Sequence, residues 1–283
     1  MTIDFDKLLK EATTEADTET LMLVVAGVRG GGKSFLGGTA GVPTLLLSFG
    51  RERHSVAAAR ALGGTVASII VDMDDAGAFL KPDDVIKNVN AILTNPAILK
   101  KFGCVVFDGI TVYDYYVNQC TAVLTAKQYK GSEEIEKVYN ELLNAFANLQ
   151  VSKIHVVATI AAEGDADKAT GEFTNITPQL RGYNSCSKVL GAFSDILCVG
   201  KVTMTNEDGD IVSKHMLQFS GSFNKSGKKL SGEARTLSFS CRLGGIPSQL
   251  LPEDGLFPAS LRQLIEFKKE TIKKTREMYS AKK

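Results

Sequence analysis

The segment Gly27-Val28-Arg29-Gly30-Gly31-Gly32-Lys33-Ser34 places glycine, lysine and a hydroxyl at the spacing G-x-x-x-x-G-K-[ST]. The spacing has a chemical reason. A polyphosphate needs several backbone N–H groups turned into one concavity, and glycine lets the main chain wrap tightly enough to supply them. The start of a following helix adds unsatisfied N–H groups and the positive end of its dipole. The expected binding segment runs through Gly27, Val28, Arg29, Gly30, Gly31, Gly32, Lys33, Ser34 and Phe35. Lys33 then reaches the terminal phosphates, and the Ser34 hydroxyl ligates Mg²⁺. Arg29 is unusual inside such a loop, where it adds charge near the phosphates or points to solvent. A glycine-rich hairpin turn is the competing reading. The flanks favour phosphate binding, because the apolar run 21–26 reads as a buried strand and Lys33-Ser34-Phe35-Leu36 suits a helix.

A phosphate loop needs a partner acid for the hydration shell of Mg²⁺. Val105-Val106-Phe107-Asp108 fits, as an apolar strand that delivers Asp108 to its C-terminal edge, where ligands of parallel sheets sit. A helix N-cap is the bland alternative for the same acid. Hydrolysis also needs a group that polarises water. Residue 109 is glycine, so no glutamate directly follows the metal acid. Glu52, beyond the next strand after the loop helix, is the candidate base; an exposed ion pair with Arg51 or Arg53 is its alternative role, and Asp72 and Glu163 compete with it. No guanine-reading N/T-K-x-D follows a later strand, so ATP is favoured over GTP.

These residues require elements to hold them. The chain of 283 residues carries a formal charge of +1, with ordinary hydrophobic (44%) and charged (23%) fractions. The charge excludes a globally basic nucleic-acid magnet and leaves a local basic surface open. No apolar run is long enough to span a membrane. Residues 1–20 are acidic and polar, with no secretory pattern, and read as an N-terminal arm. Five scattered cysteines without C-x-x-C spacing imply reduced thiols and a cytoplasmic setting. The three histidines are far apart, which argues against a structural zinc.

Strand expectations are 21–26, 44–49, 65–71, 103–108, 154–160 and 195–200; helix expectations are a short one after the loop, then 55–62, 83–93, 96–101, 112–149 with a break at 130–132, and 183–193. Residues 161–177 read as a mobile loop. Alternating strands and helices predict an α/β fold with a mostly parallel sheet covered on both faces, forming a core over 21–200. Residues 201–260 change texture, with strands at 202–204, 211–219 and 235–242 joined by turns at 206–210 and 225–229, and predict antiparallel strands extending the same domain. Residues 261–283 form a terminal helix whose last 22 positions hold eight Lys/Arg against three Glu.

Taken together, the phosphate loop, the short helix and quick second strand at 33–49, Asp108-Gly109-Ile110-Thr111, Pro178-Gln179-Leu180-Arg181-Gly182 and the Asp-led strand at 195–199 resemble the RecA-like ATPases, most closely the short phage-encoded ones linked to single-strand annealing and recombination. The resemblance spans roughly residues 20–250. It implies a RecA-like P-loop fold with bound ATP and Mg²⁺, a homo-oligomeric ring or filament, single-stranded DNA as a partner and a single-strand-binding or other recombination protein as another. It also implies a residue that touches a neighbour's nucleotide, and Ser240-Cys241-Arg242 is the nearest match, with Arg242 as the finger. Three positions depart from the group: Gly50-Arg51 precedes Glu52, Thr159-Ile160-Ala161-Ala162 stands where a polar His or Gln usually ends the strand, and the lysine of the late pair is missing.

In that group the loop after the fourth core strand faces DNA. Here it holds Lys168, Phe173 and Arg181 beside Glu163, Asp165, Asp167 and Glu172, so it is not strongly basic. Tyr113, Tyr115 and Tyr116 are candidates for base stacking, although tyrosines near a sheet more often belong to the core or an interface. The basic terminal helix offers a phosphate or partner surface, or else a solvated face with Leu261, Leu264, Ile265 and Ile272 docked on the domain. The expectation is an ATPase acting on single-stranded DNA. The alternatives are an ATP-dependent assembly or loading protein acting only on proteins, and a small-molecule phosphotransferase, for which no arginine-rich lid is evident.

Overall fold

The computed structural model describes residues 20–28, 30–50, 65–126, 130–166, 173–181, 183–205, 209–219, 222–228 and 234–280. Strands β1 (Met22–Gly27), β2 (Thr44–Ser48), β3 (Val66–Ile70), β4 (Cys104–Asp108) and β5 (His155–Ala166) run parallel, in the spatial order β3-β2-β4-β5-β1. β7 (Asp195–Thr205) joins β1 in parallel; β8 (Ile211–Gln218) and β11 (Leu256–Pro258) then continue the sheet antiparallel. A second branch leaves the far end of β5. There β6 (Phe173–Pro178) pairs antiparallel with β5, β9 (Ser222–Lys228) parallel with β6, and β10 (Ala234–Ser240) antiparallel with β9.

The helices are α1 (Lys33–Gly37), α2 (Pro82–Leu93), α3 (Pro96–Leu99), α4 (Ile110–Gln119), α5 (Thr121–Thr125), α6 (Lys130–Val151), α7 (Tyr183–Ala192) and α8 (Leu261–Ser280). The central strands are apolar on both faces because both are covered. On one face Met22, Val24, Ala26, Val105, Phe107, Val156 and Ala158 pack under α2, α4, α6 and α7. On the other, Leu21, Leu23, Val25, Val106 and Val157 pack under α1 and α8. The chain is therefore α/β with a mostly parallel central sheet, flanking helices and C-terminal antiparallel strands. No helix among the described residues is long and apolar enough to cross a membrane.

Several sequence expectations need correction. The loop expected over 161–177 is largely strand, because β5 runs on to Ala166 and pairs with β6. The segment 225–229, read as a turn, lies mostly within β9, where Ser226 and Gly227 pair with Thr236 and Arg235. Val202–Met204 is not a separate strand but the end of β7. The long helical region breaks at Cys120, whose extended backbone (φ −70°, ψ 154°) separates α4 from α5, while Lys130-Gly131 opens α6. The arm at 1–19, the helix expected over 55–62, and Arg29 and Glu52 lie outside the described residues.

The terminal helix docks as its apolar spacing implies: Leu261, Leu264, Ile265 and Ile272 are buried. One of its lysines is buried with them. Lys268 Nζ donates to Asp195 Oδ1 and Oδ2 at 2.8 and 2.9 Å, and neither side chain is more than 1% exposed. Asp195 also accepts from Met22 N, Gly244 N and Ser194 Oγ. At its N-terminus α8 grips the segment after the loop helix, with Leu261 N donating to Thr39 Oγ1 and Arg262 N to Thr39 O.

Candidate nucleotide-binding site

β1 ends at Gly27 and α1 begins at Lys33, so the glycine-rich turn sits on the C-terminal edge of the sheet. Gly30 and Gly32 have φ of +79° and +91°, a backbone that side-chain-bearing residues rarely adopt. At Gly27 a Cβ would lie 2.5 Å from the Val199 carbonyl oxygen of β7. A Cβ on Gly31 would lie 3.1 Å from both Val199 O and Val28 O. The glycines are thus required by local contacts in this fold as well as by any phosphate. Lys33 Nζ folds back onto the loop, donating to the carbonyls of Gly27 and Val28, each at 2.9 Å. α1 is only one turn long and lies close on the sheet: a Cβ on Gly37 would come within 2.9 Å of Val106.

Val106 precedes Asp108 by two residues on β4, and α1 runs back down the sheet from the loop. The start of α1, with Ser34, therefore lies over the same edge and face as Asp108. In register at that edge stand Ser48 of β2, Asp108 of β4, Thr159 of β5 and Val25 of β1. Three of the four are polar and buried within an otherwise apolar face. Thr159 Oγ1 donates to Asp108 Oδ1 at 2.7 Å. Among the described residues Asp108 Oδ2 and Ser48 Oγ have no hydrogen-bond partner. A buried carboxylate oxygen left unpartnered is costly, and a cation or its water shell beside Ser34 would supply what it lacks. The residues thus fit Mg²⁺ held by one hydroxyl, one carboxylate and phosphate oxygens. Among the described residues no group of three or more His, Cys, Asp or Glu side chains gathers to hold a metal by itself.

The absence of glutamate after Asp108 has a backbone cause. Gly109 turns β4 into α4 at φ +127°, where any side chain is strained. Thr111, one turn on, accepts a hydrogen bond from Ala161 N and fixes β5 beyond the site.

The other candidates separate. Asp72 is a fastener: its buried carboxylate accepts Gly50 N at 2.6 Å and Tyr116 Oη at 2.9 Å. It thereby pins the end of β2, two residues before Glu52, beside Ser48 and Asp108. Glu163 lies exposed on the extension of β5 and accepts from Gln179 Nε2. Arg242 bridges Ile196 at the opposite, N-terminal edge of the sheet, and its guanidinium donates to the carbonyls of Phe193 and Ser194. Within one chain Arg242 is not brought to the phosphate loop. Tyr113 is fully buried among Phe107 and Tyr139 and is removed from any stacking role. Tyr116 is held by Asp72, and Tyr115, 49% exposed, lies under the Arg181 guanidinium at 5.2 Å. Asp114, buried on α4, accepts Tyr139 Oη and Arg181 N, both at 2.6 Å, and so anchors the Pro178–Arg181 segment.

One neighbour of the loop carries no sequence signal. His215 of β8 lies against Gly32, so that a Cβ there would stand 2.8 Å from His215 Cδ2. With Gly30, Gly32, Lys33, Ser34 and Phe35 it lines a cavity of about 410 Å³. A second cavity of about 480 Å³, between α2, α3 and α6, is lined mainly by apolar residues such as Leu93, Leu99 and Phe102 and holds none of the chemistry expected here.

Comparison with known protein families and with curated protein sequences finds no match.

Proposed function

We propose that this chain is a RecA-like ATPase that binds ATP and Mg²⁺ on the 27–35 loop and works on single-stranded DNA as a homo-oligomer, alongside a single-strand-binding or other recombination protein. The observation that carries the nucleotide reading is the pairing of a glycine cradle with an unpartnered buried carboxylate on the same sheet edge. Gly27, Gly30, Gly31 and Gly32 let the backbone approach the phosphates, and Lys33 exchanges its hold on the loop carbonyls for phosphate oxygens. Ser34 and Asp108 hold the metal, with Thr159 keeping the Asp108 carboxylate in place. Mg²⁺, when bound, neutralises charge on the phosphate oxygens and orients them. Glu52 is the proposed base, two residues beyond the Gly50 amide that Asp72 fixes. A role for Arg242 at a neighbouring subunit's nucleotide requires it to release the Phe193 and Ser194 carbonyls.

A second reading, an ATP-driven assembly protein that contacts only other proteins, is favoured by the net charge of +1 and by the acidic Glu163 on the β5 extension. ATP turnover measured with and without single-stranded DNA, with Lys33→Ala as control, separates the two. Turnover that rises with DNA and vanishes in the control supports the recombination ATPase. Turnover indifferent to DNA supports the assembly reading.

A further inference from the structure

The antiparallel hairpin β7–β8 does more than widen the sheet. Leu217, two residues after His215, is buried on the face that α1 and α8 cover, and strand alternation puts His215 on that same face. The hairpin thus carries an exposed imidazole over the turn into α1, with Cδ2, Cγ and Nε2 standing 2.8, 3.3 and 3.4 Å from where a Gly32 Cβ would be. Glycine at 32 makes room for this ring. The ring, Lys33 and Ser34 share one cavity wall.

Strand order shows which part of a nucleotide the ring meets. Across the sheet the sequence is β4-β5-β1-β7-β8, so Asp108 lies two strands to one side of β1 and His215 two strands to the other. At about 4.8 Å per strand the two backbones are roughly 19 Å apart. A metal and terminal phosphate held at Asp108 leave His215 to the opposite end of the ligand, the part that ATP and ADP share.

Resting on the nucleotide reading above, we propose that His215 is a ligand for the nucleoside-diphosphate part of the bound nucleotide, donating from its imidazole to a phosphate oxygen common to ATP and ADP. The charged groups around it are Lys33 on the loop and Lys201, its direct cross-strand partner on β7. β11 and the start of α8 bring Pro258 and Ala259 alongside, with Ala259 N donating to the His215 carbonyl, and Arg262 lies further on against Gly41. Arg262 is already paired with Glu266 at 3.1 Å, so among the described residues the positive charge beside the ring comes from Lys33 and Lys201, and it suits an anionic ligand.

The test is calorimetric titration of ADP and of ATP, with Mg²⁺ and with excess EDTA, into the full chain, His215→Ala and His215→Gln. His215→Ala should weaken ADP and ATP alike by about tenfold, with or without metal, and His215→Gln, which keeps an N–H donor, should recover part of the loss. Equal affinities in the unsubstituted protein and His215→Ala, or a loss confined to ATP, would overturn this inference and leave the nucleotide site standing. No binding of either nucleotide by the unsubstituted protein would overturn both. Matching melting temperatures establish that the variants are folded, which the exposed position favours.

Discussion

Replacing Lys268 by methionine tests how the terminal helix is held. The change keeps most of the buried stem and removes the cationic head. Asp195, fully buried, would keep three donors (Met22 N, Gly244 N and Ser194 Oγ) but lose its counter-charge. Breaking a buried ion pair on one side costs about 3–5 kcal/mol, and the surviving donors place this case at the lower end, about 3 kcal/mol. In a chain of this size that corresponds to a fall in melting temperature of roughly 6–12 °C. Denaturant unfolding of Lys268→Met, Asp195→Asn and the double variant gives the coupling directly. We expect the double variant to be clearly more stable than the sum of the two single losses allows, by about 2 kcal/mol. Amide exchange at Thr39, which α8 grips through Leu261 and Arg262, should quicken in Lys268→Met. A loss under about 1 kcal/mol, or strict additivity, would refute the reasoning.

Three further outcomes follow from the site and the core. Thr159→Val removes the donor to Asp108 Oδ1 and should weaken Mg²⁺-dependent ATP binding about tenfold, read by titrating Mg²⁺ at fixed ATP; an unaltered Mg²⁺ midpoint would count against the metal role of Asp108. Gly32→Ala forces a side chain into a φ of +91° and against His215, so nucleotide affinity should fall at least tenfold, as measured by calorimetry. His155 accepts Leu21 N at Nδ1, which requires the neutral ring, and its folded pKa of about 4 lies below the ordinary 6.5. The unfolded chain therefore takes up the proton first. This contribution is complete above pH 6.5 and is lost as pH falls toward 4, by about 3 kcal/mol. Melting temperature should drop over that range and drop less in His155→Gln; identical pH profiles would remove His155 as the cause.

What the sequence revealed, and what it hid, follows from whether a signal is local. The strand–loop–helix unit at Met22–Gly37 was legible because phosphate chemistry and backbone sterics both demand the same glycines. The strand ending in Asp108 was legible from its apolar run. The β5–β6 extension was not, since its buried side rests on Ala162, Ile176 and Pro178 while Glu163 and Thr177 are exposed partners, so its alternation is carried by too few large apolar residues to stand out beside the glycine and acids. Ser226 and Gly227 look like a turn next to lysines, yet they sit inside β9 because β10 supplies the ladder. Lys268 looked like one more charge on a solvated basic helix. Only the meeting of α8 with the buried start of β7 reveals its partner. His215, on a later strand, reaches Gly32 by strand order alone, and no motif marks it. Ser48 and Thr159 share this character: as single residues they are ordinary, and only the parallel register aligns them with Asp108.

The proposed ATPase stands or falls with the 27–35 loop and Asp108 together holding ATP and Mg²⁺. Calorimetric titration of ATP with and without Mg²⁺, into the full chain, Lys33→Ala and Asp108→Asn, tests it directly. Saturable binding that Mg²⁺ tightens is expected, with a large loss in Lys33→Ala and loss of the Mg²⁺ effect in Asp108→Asn. No binding by the unsubstituted protein, or binding that neither substitution alters, would contradict it.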